Sequence, residues 1–335
     1  MDDASSTLIA REVPARRLPV PSSVSPQLQR SISLLAATAA LGDAAAAPQT
    51  TAEWKAFIAQ ADAQTIALNP ILAGRFPHTM VQREIAGVTV REITPATLDP
   101  AKAGRQFVHL HGGGFALYGG EASTPEAVLA AHYAGMKVIS VDYRRPPDHP
   151  FPAAIDDAVA VWRALLEDHA PASMAVFGTS AGGNLTLSMT HKLKALGLPL
   201  PGALGCGTPA TDLTNSSDSL RTNEGVDGVI PHMGEPGGGM LALYVGATPL
   251  TDPLVSPLFG EFTGFPPTVF ITGTRDILLS DTVRAYRAMR AAGVEARLEV
   301  HEAMSHAEYI FAFDAPESAV AFGDLASFFD AHLIG

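Results

Sequence analysis

The spacing of hydrophobic residues predicts a helical N-terminal part, followed by a longer part in which strands and helices alternate. Ser25-Pro26 is a typical cap and first residue of a helix, which Gly42 would end. Hydrophobic residues recur on one face of this helix at Leu28, Ile32 and Leu35. Residues 1–24 are polar and rich in proline and serine, which predicts a loosely held arm.

A second N-terminal helix is predicted after Thr50, because Thr50 and Glu53 have the spacing of a capping box. Its hydrophobic face carries Trp54, Phe57, Ile58 and Ala61. Both helices precede the first predicted strand, so we expect them on the outside of the domain. Periodicity leaves open whether they are a flank or a lid over a site.

The hydrophobic period changes at Val81, where alternating residues around Gly87 predict a β-hairpin. Further strands are predicted at residues 106–110, 137–143, 173–177, 203–208, 268–273 and 296–301. Helices are predicted between and after them at residues 152–167, 184–196, 281–292 and 317–333. This alternation predicts an α/β fold with a mostly parallel sheet covered by helices on both faces. Residues 212–261 interrupt it, and we expect a functional insertion there.

Composition excludes several classes of partner. The 335 residues are 47% hydrophobic, which suits one large α/β domain with additions. The net charge of −12, without a long basic run, argues against nucleic acid or an anionic membrane as partner. We expect a cytoplasmic protein without stable membrane insertion. Residues 32–47 could pass for the hydrophobic core of a signal peptide, but they lie behind a long polar leader and are interrupted by Asp43. The single cysteine, Cys206, excludes an intrachain disulfide and is interpreted as a buried, inert thiol.

One short segment, Gly178-Thr179-Ser180-Ala181-Gly182, matches the pattern G-x-S-x-G of a nucleophile elbow. It lies between a predicted strand and a predicted helix, and so sharp a turn would expose the hydroxyl of Ser180 at the top of the sheet. Gly178 and Gly182 leave the room that a Cβ atom would occupy. Ser180 is therefore the candidate nucleophile.

A second glycine segment, His111-Gly112-Gly113-Gly114, follows the strand that ends at Leu110. Acyl transfer needs N–H donors aimed at the position where the carbonyl oxygen becomes negative, and glycines permit that close approach. The backbone N–H groups of Gly113, Gly114 and Ala181 are the candidate oxyanion hole.

Two histidines share one face of the strand before this loop, and such a pair can bind a metal. No third ligand with suitable spacing accompanies His109 and His111, so we expect no metal. His111, next to Gly112, is interpreted as orienting the glycine loop, and His109 as a packed histidine.

A serine nucleophile needs a base, and the base needs an acid that orients it. His306 is the candidate base, because it lies in a loop after the last predicted strand, whereas His301 and His332 lie within predicted elements. Asp276 is the candidate acid, directly after the carboxyl end of a strand. Asp281 is its nearest rival, but it occupies the position expected for a helix N-cap. Serine, acid and base then follow the chain order described for α/β-hydrolases.

Taken together, the motifs resemble those of the bacterial hormone-sensitive-lipase-like esterases of the α/β-hydrolase fold. The resemblance runs from Phe107 to the C-terminus through His111–Gly114, Asp142-Tyr143-Arg144, Pro150–Ala154, Gly178–Gly182, Asp276 and His306. The elbow itself resembles the subgroup that reads G-T-S-A-G. Arg145-Pro146-Pro147-Asp148 departs from a leucine-alanine-proline-glutamate run of many relatives, and we expect this to change local packing and not the reaction.

The resemblance implies a carboxylesterase that hydrolyses small-molecule esters of short to medium acyl chains through a Ser-His-Asp triad and an acyl-enzyme. It implies no cofactor, and a homodimer as in many relatives. It also implies that the arm and helices of residues 1–80, with parts of residues 212–261, form a cap on a catalytic domain of residues 81–335. Lactone, carbamate or amide hydrolysis by the same triad stays open, as does a non-catalytic receptor on a hydrolase scaffold.

Overall fold

The structure is a computed structural model that describes residues 11–40 and 48–335. Its described part contains one sheet of eight strands: β1 His78–Ile85, β2 Val88–Pro95, β3 Gln106–Leu110, β4 Val138–Val141, β5 Met174–Thr179, β6 Ala203–Gly207, β7 Thr268–Gly273 and β8 Ala296–His301. The α-helices are α1 Pro26–Ala40, α2 Thr51–Ile66, α3 Asn69–Arg75, α4 Thr124–Ala134, α5 Ala153–Leu165, α6 Ala181–Ala195, α7 Ser219–Thr222, α8 Gly239–Val245, α9 Leu279–Ala291, α10 Glu308–Phe311 and α11 Pro316–His332.

The sheet is mostly parallel, with the strand order β1-β2-β4-β3-β5-β6-β7-β8. Only the pairs β1–β2 and β2–β4 are antiparallel. The prediction of an α/β fold with a mostly parallel sheet is confirmed, and so is the β-hairpin, whose turn contains Gly87. The candidate residues Ser180, Asp276 and His306 follow β5, β7 and β8, so they lie at the carboxyl ends of these strands.

Two hydrophobic clusters cover the two faces of the sheet, because successive strand residues point to opposite sides. Val108 and Val176 pack in the cluster that includes residues of α5, α6 and α9. Phe107 and Phe177, their neighbours along the chain, pack in the cluster that includes residues of α4 and α11. The sheet is therefore covered by helices on both faces, as predicted.

The start of each of the two predicted N-terminal helices was predicted correctly from its capping residues. The first helix begins at Pro26, and Thr50 and Glu53 form a complete capping box at the start of α2. The predicted end at Gly42 and residues 1–10 of the predicted arm lie outside the described residues, while residues 11–20 have no regular secondary structure. The predicted hydrophobic face of α2 is only partly buried, since Ile58 is buried but Phe57 is 44% exposed.

The helix α4 was not predicted from the sequence. Eight of its eleven residues are buried, including Glu126. A helix that is hydrophobic nearly all round has no polar face, so it lacks the period by which an amphipathic helix is identified.

The N-terminal helix α1 and the insertion of residues 212–261 meet beside the loop that carries His306. The Ser31 hydroxyl on α1 donates to Oε1 of Glu308 over 2.7 Å. Leu35, one turn further on, lies against Gly228 of the insertion. The division into a cap and a catalytic domain stays a prediction. Within the described ranges, no helix combines the length and hydrophobicity needed to cross a membrane.

Candidate active site

The elbow segment turns sharply between β5 and α6. Ser180 has φ 60° and ψ −120°, a backbone conformation that a non-glycine residue rarely adopts. Its N–H donates to the carbonyl oxygen of Gly207 over 2.8 Å, which holds the turn against β6. A Cβ atom at either Gly178 or Gly182 would collide with the carbonyl oxygen of Leu110. The two glycines therefore allow the strand and the helix to approach closely around the serine.

The candidate acid and base form a buried pair. Nδ1 of His306 lies 3.0 Å from Oδ1 of Asp276. The same oxygen accepts the N–H of Leu278 over 2.9 Å, and Oδ2 accepts the hydroxyl of Thr272 over 2.6 Å. Because both carboxylate oxygens are bonded, the carboxylate has a fixed orientation and presents a lone pair to Nδ1.

The second ring nitrogen of His306 is available to take a proton. Among the described residues, Nε2 has no hydrogen-bond partner, so the hydroxyl of Ser180 does not bond to it in this structure. Such bonds are often long in free enzymes and tighten when the substrate binds. Burial alone lowers the pKa of His306, but the hydrogen bond and charge of Asp276, with the charge of Asp227, raise it above the ordinary value of 6.5. A raised pKa makes the imidazole a stronger base.

The glycine loop after β3 packs directly on the elbow. A Cβ atom at Gly112 would lie 2.8 Å from the carbonyl oxygen of Thr179, so only glycine fits there. Gly113 and Gly114 have φ of 96° and 57°, in the region that glycine favours. Ala181 is the first residue of α6, where backbone N–H groups have no partner within the helix. The three candidate donors thus come from two segments that meet at Ser180.

The two histidines near this loop have different partners. His111 is buried and stacks on Tyr143 with ring centroids 4.0 Å apart, and its Nδ1 lies 2.8 Å from the carbonyl oxygen of Gly112. Burial, together with the charge of Arg145, lowers the pKa of His111 to about 3, so its ring is neutral at physiological pH. His109 instead contacts Oε2 of Glu126 over 3.0 Å. No three or more His, Cys, Asp or Glu side chains are grouped as a metal site in the described part of the chain.

Comparison with known proteins identifies the family of this chain. The family model for the alpha/beta hydrolase fold matches residues 107–310. The chain belongs to the α/β-hydrolase family. An esterase of Acinetobacter venetianus is 34% identical to this α/β-hydrolase over 247 residues, which are 73% of this chain and 79% of that protein.

Two solved structures place this α/β-hydrolase among the esterases. A crystal structure of an esterase is 38% identical and has a TM-score of 0.90, covering 97% of this chain and 99% of its own. A crystal structure of an esterase from the bacterial hormone-sensitive lipase family is 30% identical with a TM-score of 0.77, covering 92% and 98%. This α/β-hydrolase is a hormone-sensitive-lipase-like esterase and acts as a carboxylic ester hydrolase.

The alternative candidates for the acid and the base, Asp281, His301 and His332, each have a structural partner elsewhere in the fold. Asp281 is not the N-cap of its helix: α9 begins at Leu279, so Asp281 lies in its first turn and accepts the N–H groups of Thr211 and Asp212. The prediction of an N-cap was wrong because the helix starts two residues earlier than expected. The other late histidines lie beside carboxylates, His301 near Asp324 and His332 near Glu295.

The structure also shows the surroundings of Cys206 and of the segment that begins at Arg145. Cys206 is unpaired and buried, and burial raises the pKa of its thiol, as expected for an inert side chain. Arg145, at the departure from the family pattern, donates to the carbonyl oxygen of Ala116 over 2.6 Å and lies near Asp62 of α2. The altered segment therefore packs against the loop that follows the glycines.

Two groups of residues beside the site were missed by the sequence analysis. The hydroxyl of Thr179 donates to Oε1 of Glu126 over 2.5 Å and lies 2.6 Å from the hydroxyl of Tyr309, beneath the elbow. In the insertion, Oδ2 of Asp227 accepts the backbone N–H of His306 over 3.0 Å. No motif marks these positions, and their partners are distant in sequence.

Proposed function

We propose that the protein is a carboxylesterase for short- to medium-chain acyl esters, with Ser180 as nucleophile, His306 as base and Asp276 as the orienting acid. Nε2 of His306 takes the proton of Ser180 while Oγ attacks the ester carbonyl. The N–H groups of Gly113, Gly114 and Ala181 stabilise the oxyanion, and the alcohol leaves with the proton from His306. Water, activated by the same imidazole, then hydrolyses the acyl-enzyme.

The observation that carries this proposal is the buried His306–Asp276 pair, with Nδ1 and Oδ1 3.0 Å apart, at the same edge of the sheet as the elbow. A carboxylate so bonded keeps the proton on Nδ1 and leaves Nε2 as the acceptor. It also stabilises the imidazolium that forms during attack. A receptor that only binds ligand has no need of this pair.

Helix α8 of the insertion supports the short to medium acyl length. Met240 lies against the glycine loop, since a Cβ atom at Gly114 would be 2.8 Å from its Cε. Behind it, Phe115 and Tyr244 are buried and stack with ring centroids 3.8 Å apart. A large side chain close to the oxyanion donors restricts the space for a long acyl chain.

The test is the Ser180→Ala variant, assayed with p-nitrophenyl butyrate. We expect its turnover to fall by a factor on the order of 10⁶, as after removal of a triad nucleophile. Ser188→Ala is the matched control, because Ser188 is a buried serine on α6, the helix that directly follows Ser180, and its hydroxyl bonds to Asn184. A Ser180→Ala protein with the activity of the control would refute the assignment.

Covalent labelling separates catalysis from ligand binding. A fluorophosphonate should label Ser180 in the unmodified protein and should fail to label Ser180→Ala, since only an activated serine reacts. An unlabelled Ser180 in folded, unmodified protein would favour the receptor alternative. A rate series over p-nitrophenyl esters of increasing acyl length would define the substrate range.

Four further expectations stay predictions. They are the absence of a cofactor, the homodimer, the assignment to the G-T-S-A-G subgroup and the cytoplasmic location. The single buried thiol of Cys206 supports the last of these, because it suits a reducing compartment.

A further inference from the structure

The candidate acid and base lie on separate loops, after β7 and after β8. These loops bond to each other, since the N–H of Thr274 donates to the carbonyl oxygen of His301 and the N–H of Arg275 to that of Met304, each over 3.0 Å. The insertion adds further bonds to both loops. Residues 223–230 of the insertion, which we call the clamp segment, contact both loops. The contacts involve the backbone directly beside each candidate residue. They therefore act on the positions of Asp276 and His306 themselves.

On the acid side, the clamp segment binds both polar groups of one peptide unit. Nδ2 of Asn223 donates to the carbonyl oxygen of Asp276 over 2.8 Å. Oδ2 of Asp227 accepts the N–H of Ile277 over 2.8 Å. Both the carbonyl oxygen and the N–H of the peptide unit between Asp276 and Ile277 are thus hydrogen-bonded to the clamp segment.

On the base side, the same carboxylate oxygen is used again. Oδ2 of Asp227 accepts the backbone N–H of His306 over 3.0 Å. The N–H of Gly228 donates to the hydroxyl of Ser305 over 3.0 Å. One oxygen atom therefore links the loop of the acid to the loop of the base.

The clamp segment is itself held in one conformation. Oδ1 of Asp227 accepts the N–H groups of Val229 and Ile230 over 2.8 and 2.9 Å. Its own N–H donates to the carbonyl oxygen of Asn223 over 3.0 Å. Asp227 is 2% exposed, so these bonds are formed away from water, where an unpaired partner is costly.

We propose that Asp227 is a positioning residue for the triad, which holds the loops of Asp276 and His306 at the spacing needed for their hydrogen bond. This rests on the proposed function of the triad. The insertion would then set the geometry of catalysis as well as the shape of the pocket. No contact of Asp227 with the substrate is implied.

Three carboxylates are close to this part of the site. Asp276 faces the His306 ring, Asp227 lies behind its backbone, and Glu308 accepts the N–H of Ser305 over 2.9 Å. Burial raises the pKa of Asp227, and the charge of His306 opposes this rise. In return, the charge of Asp227 contributes to the raised pKa of His306. Removal of the Asp227 charge should therefore lower the pKa of His306.

Asp227→Asn is the informative variant, because each carboxylate oxygen accepts two N–H groups. An asparagine has only one acceptor oxygen, so its NH₂ group must face one of the two pairs of donors. Asp281→Asn is the matched control, since Asp281 is also buried and accepts two backbone N–H groups through a single oxygen, Oδ2. Its other oxygen accepts the hydroxyl of Ser217, which can instead accept from an amide.

We expect Asp227→Asn to lower kcat for p-nitrophenyl butyrate by about tenfold or more, as loss of a hydrogen bond to a buried charged group predicts. KM should stay close to that of the control, and the acidic limb of the kcat/KM profile should move to lower pH. A general loss of folded protein would leave that limb in place. The proposal is overturned if kcat of Asp227→Asn equals that of Asp281→Asn, or if the limb does not move.

A second variant keeps the test decisive if Asp227→Asn does not fold. Asn223→Ala removes the 2.8 Å bond to the Asp276 carbonyl and the longer 3.4 Å bond to the Thr274 carbonyl, both of which belong to the loop of the acid, from a half-buried position. A lower kcat with unchanged KM supports the clamp, and unchanged kcat overturns it. Failure of the proposed function would look different, because Ser180→Ala would then keep its activity. An inactive Ser180→Ala beside a fully active Asp227→Asn would refute only the role of Asp227.

Discussion

Replacement of Asp276 by asparagine separates the charge of the candidate acid from its geometry. Oδ1 accepts both Nδ1–H of His306 and the N–H of Leu278, so the oxygen of an asparagine should occupy this position. Its NH₂ group then faces the hydroxyl of Thr272, which can accept instead of donating. The variant should therefore keep the ring orientation of His306 and lose only the negative charge.

The expected loss follows from the charge alone. Two unit charges about 4 Å apart interact with about 4 kcal/mol at an effective dielectric constant of about 20. The imidazolium exists in the transition state and not in the resting enzyme. Loss of this attraction therefore raises the activation free energy by about 4 kcal/mol. A loss of about 4 kcal/mol corresponds to a factor of about 10³ in kcat.

Steady-state kinetics with p-nitrophenyl butyrate from pH 5 to pH 9 would measure this loss. The pKa of His306 is raised in the unmodified protein, so activity should fall as the pH drops through a value above 6.5. Without the Asp276 charge this limb should move to lower pH. Asp276→Ala is the control, because it also leaves Nδ1–H and the Leu278 N–H without their acceptor, and should cost more. Equal losses in both variants, or an Asp276→Asn loss below about tenfold, would refute the reasoning.

Two further predictions concern the insertion and its contacts. Burial raises the pKa of Asp281 to about 6 from 3.8, so the folded protein binds the extra proton and stability falls as the pH rises through this window. Asparagine does not titrate, so the unfolding free energy of Asp281→Asn minus that of the unmodified protein should rise by about 3 kcal/mol from pH 4 to pH 7. Urea denaturation would measure this difference, and a difference that does not change with pH would contradict the prediction. Met240→Ala should raise kcat/KM for p-nitrophenyl octanoate relative to the butyrate by roughly tenfold, because the side chain lies against Gly114. An unchanged preference would show that Met240 does not limit the acyl chain.

The sequence predicted those parts of the molecule that depend on near neighbours in the chain. The capping box at Thr50, the hairpin turn at Gly87 and the strand before the elbow each involve residues only a few positions apart. The elbow is of the same kind, because Gly178 and Gly182 act on the turn in which they lie. Such features can be identified from periodicity and turn chemistry alone.

Features that depend on distant contacts could not be predicted in this way. Asp227 bonds to residues 50 and 79 positions further on, and nothing in its own surroundings marks it as a hydrogen-bond acceptor for the catalytic loops. The bonds of Asp281 could not be predicted for a similar reason, because its partners Thr211 and Asp212 lie 70 and 69 positions away. A buried carboxylate is defined by which N–H groups the fold brings to it, and this requires the structure.

The nucleophile and the base of the proposed triad are therefore held in position by different kinds of contact. Ser180 adopts a backbone conformation that costs about 1–3 kcal/mol, and it is held by a turn between two regular elements. The Gly207 carbonyl and the buried Thr179–Glu126 bond attach this turn to the sheet and to α4. His306 lies on a loop five residues beyond its strand, and this loop bonds to the loop of the acid, where the N–H of Arg275 donates to the carbonyl oxygen of Met304 over 3.0 Å. The insertion adds bonds to Ser305 and His306, so shortening residues 223–230 should lower activity even though these residues are distant in sequence from every candidate catalytic group.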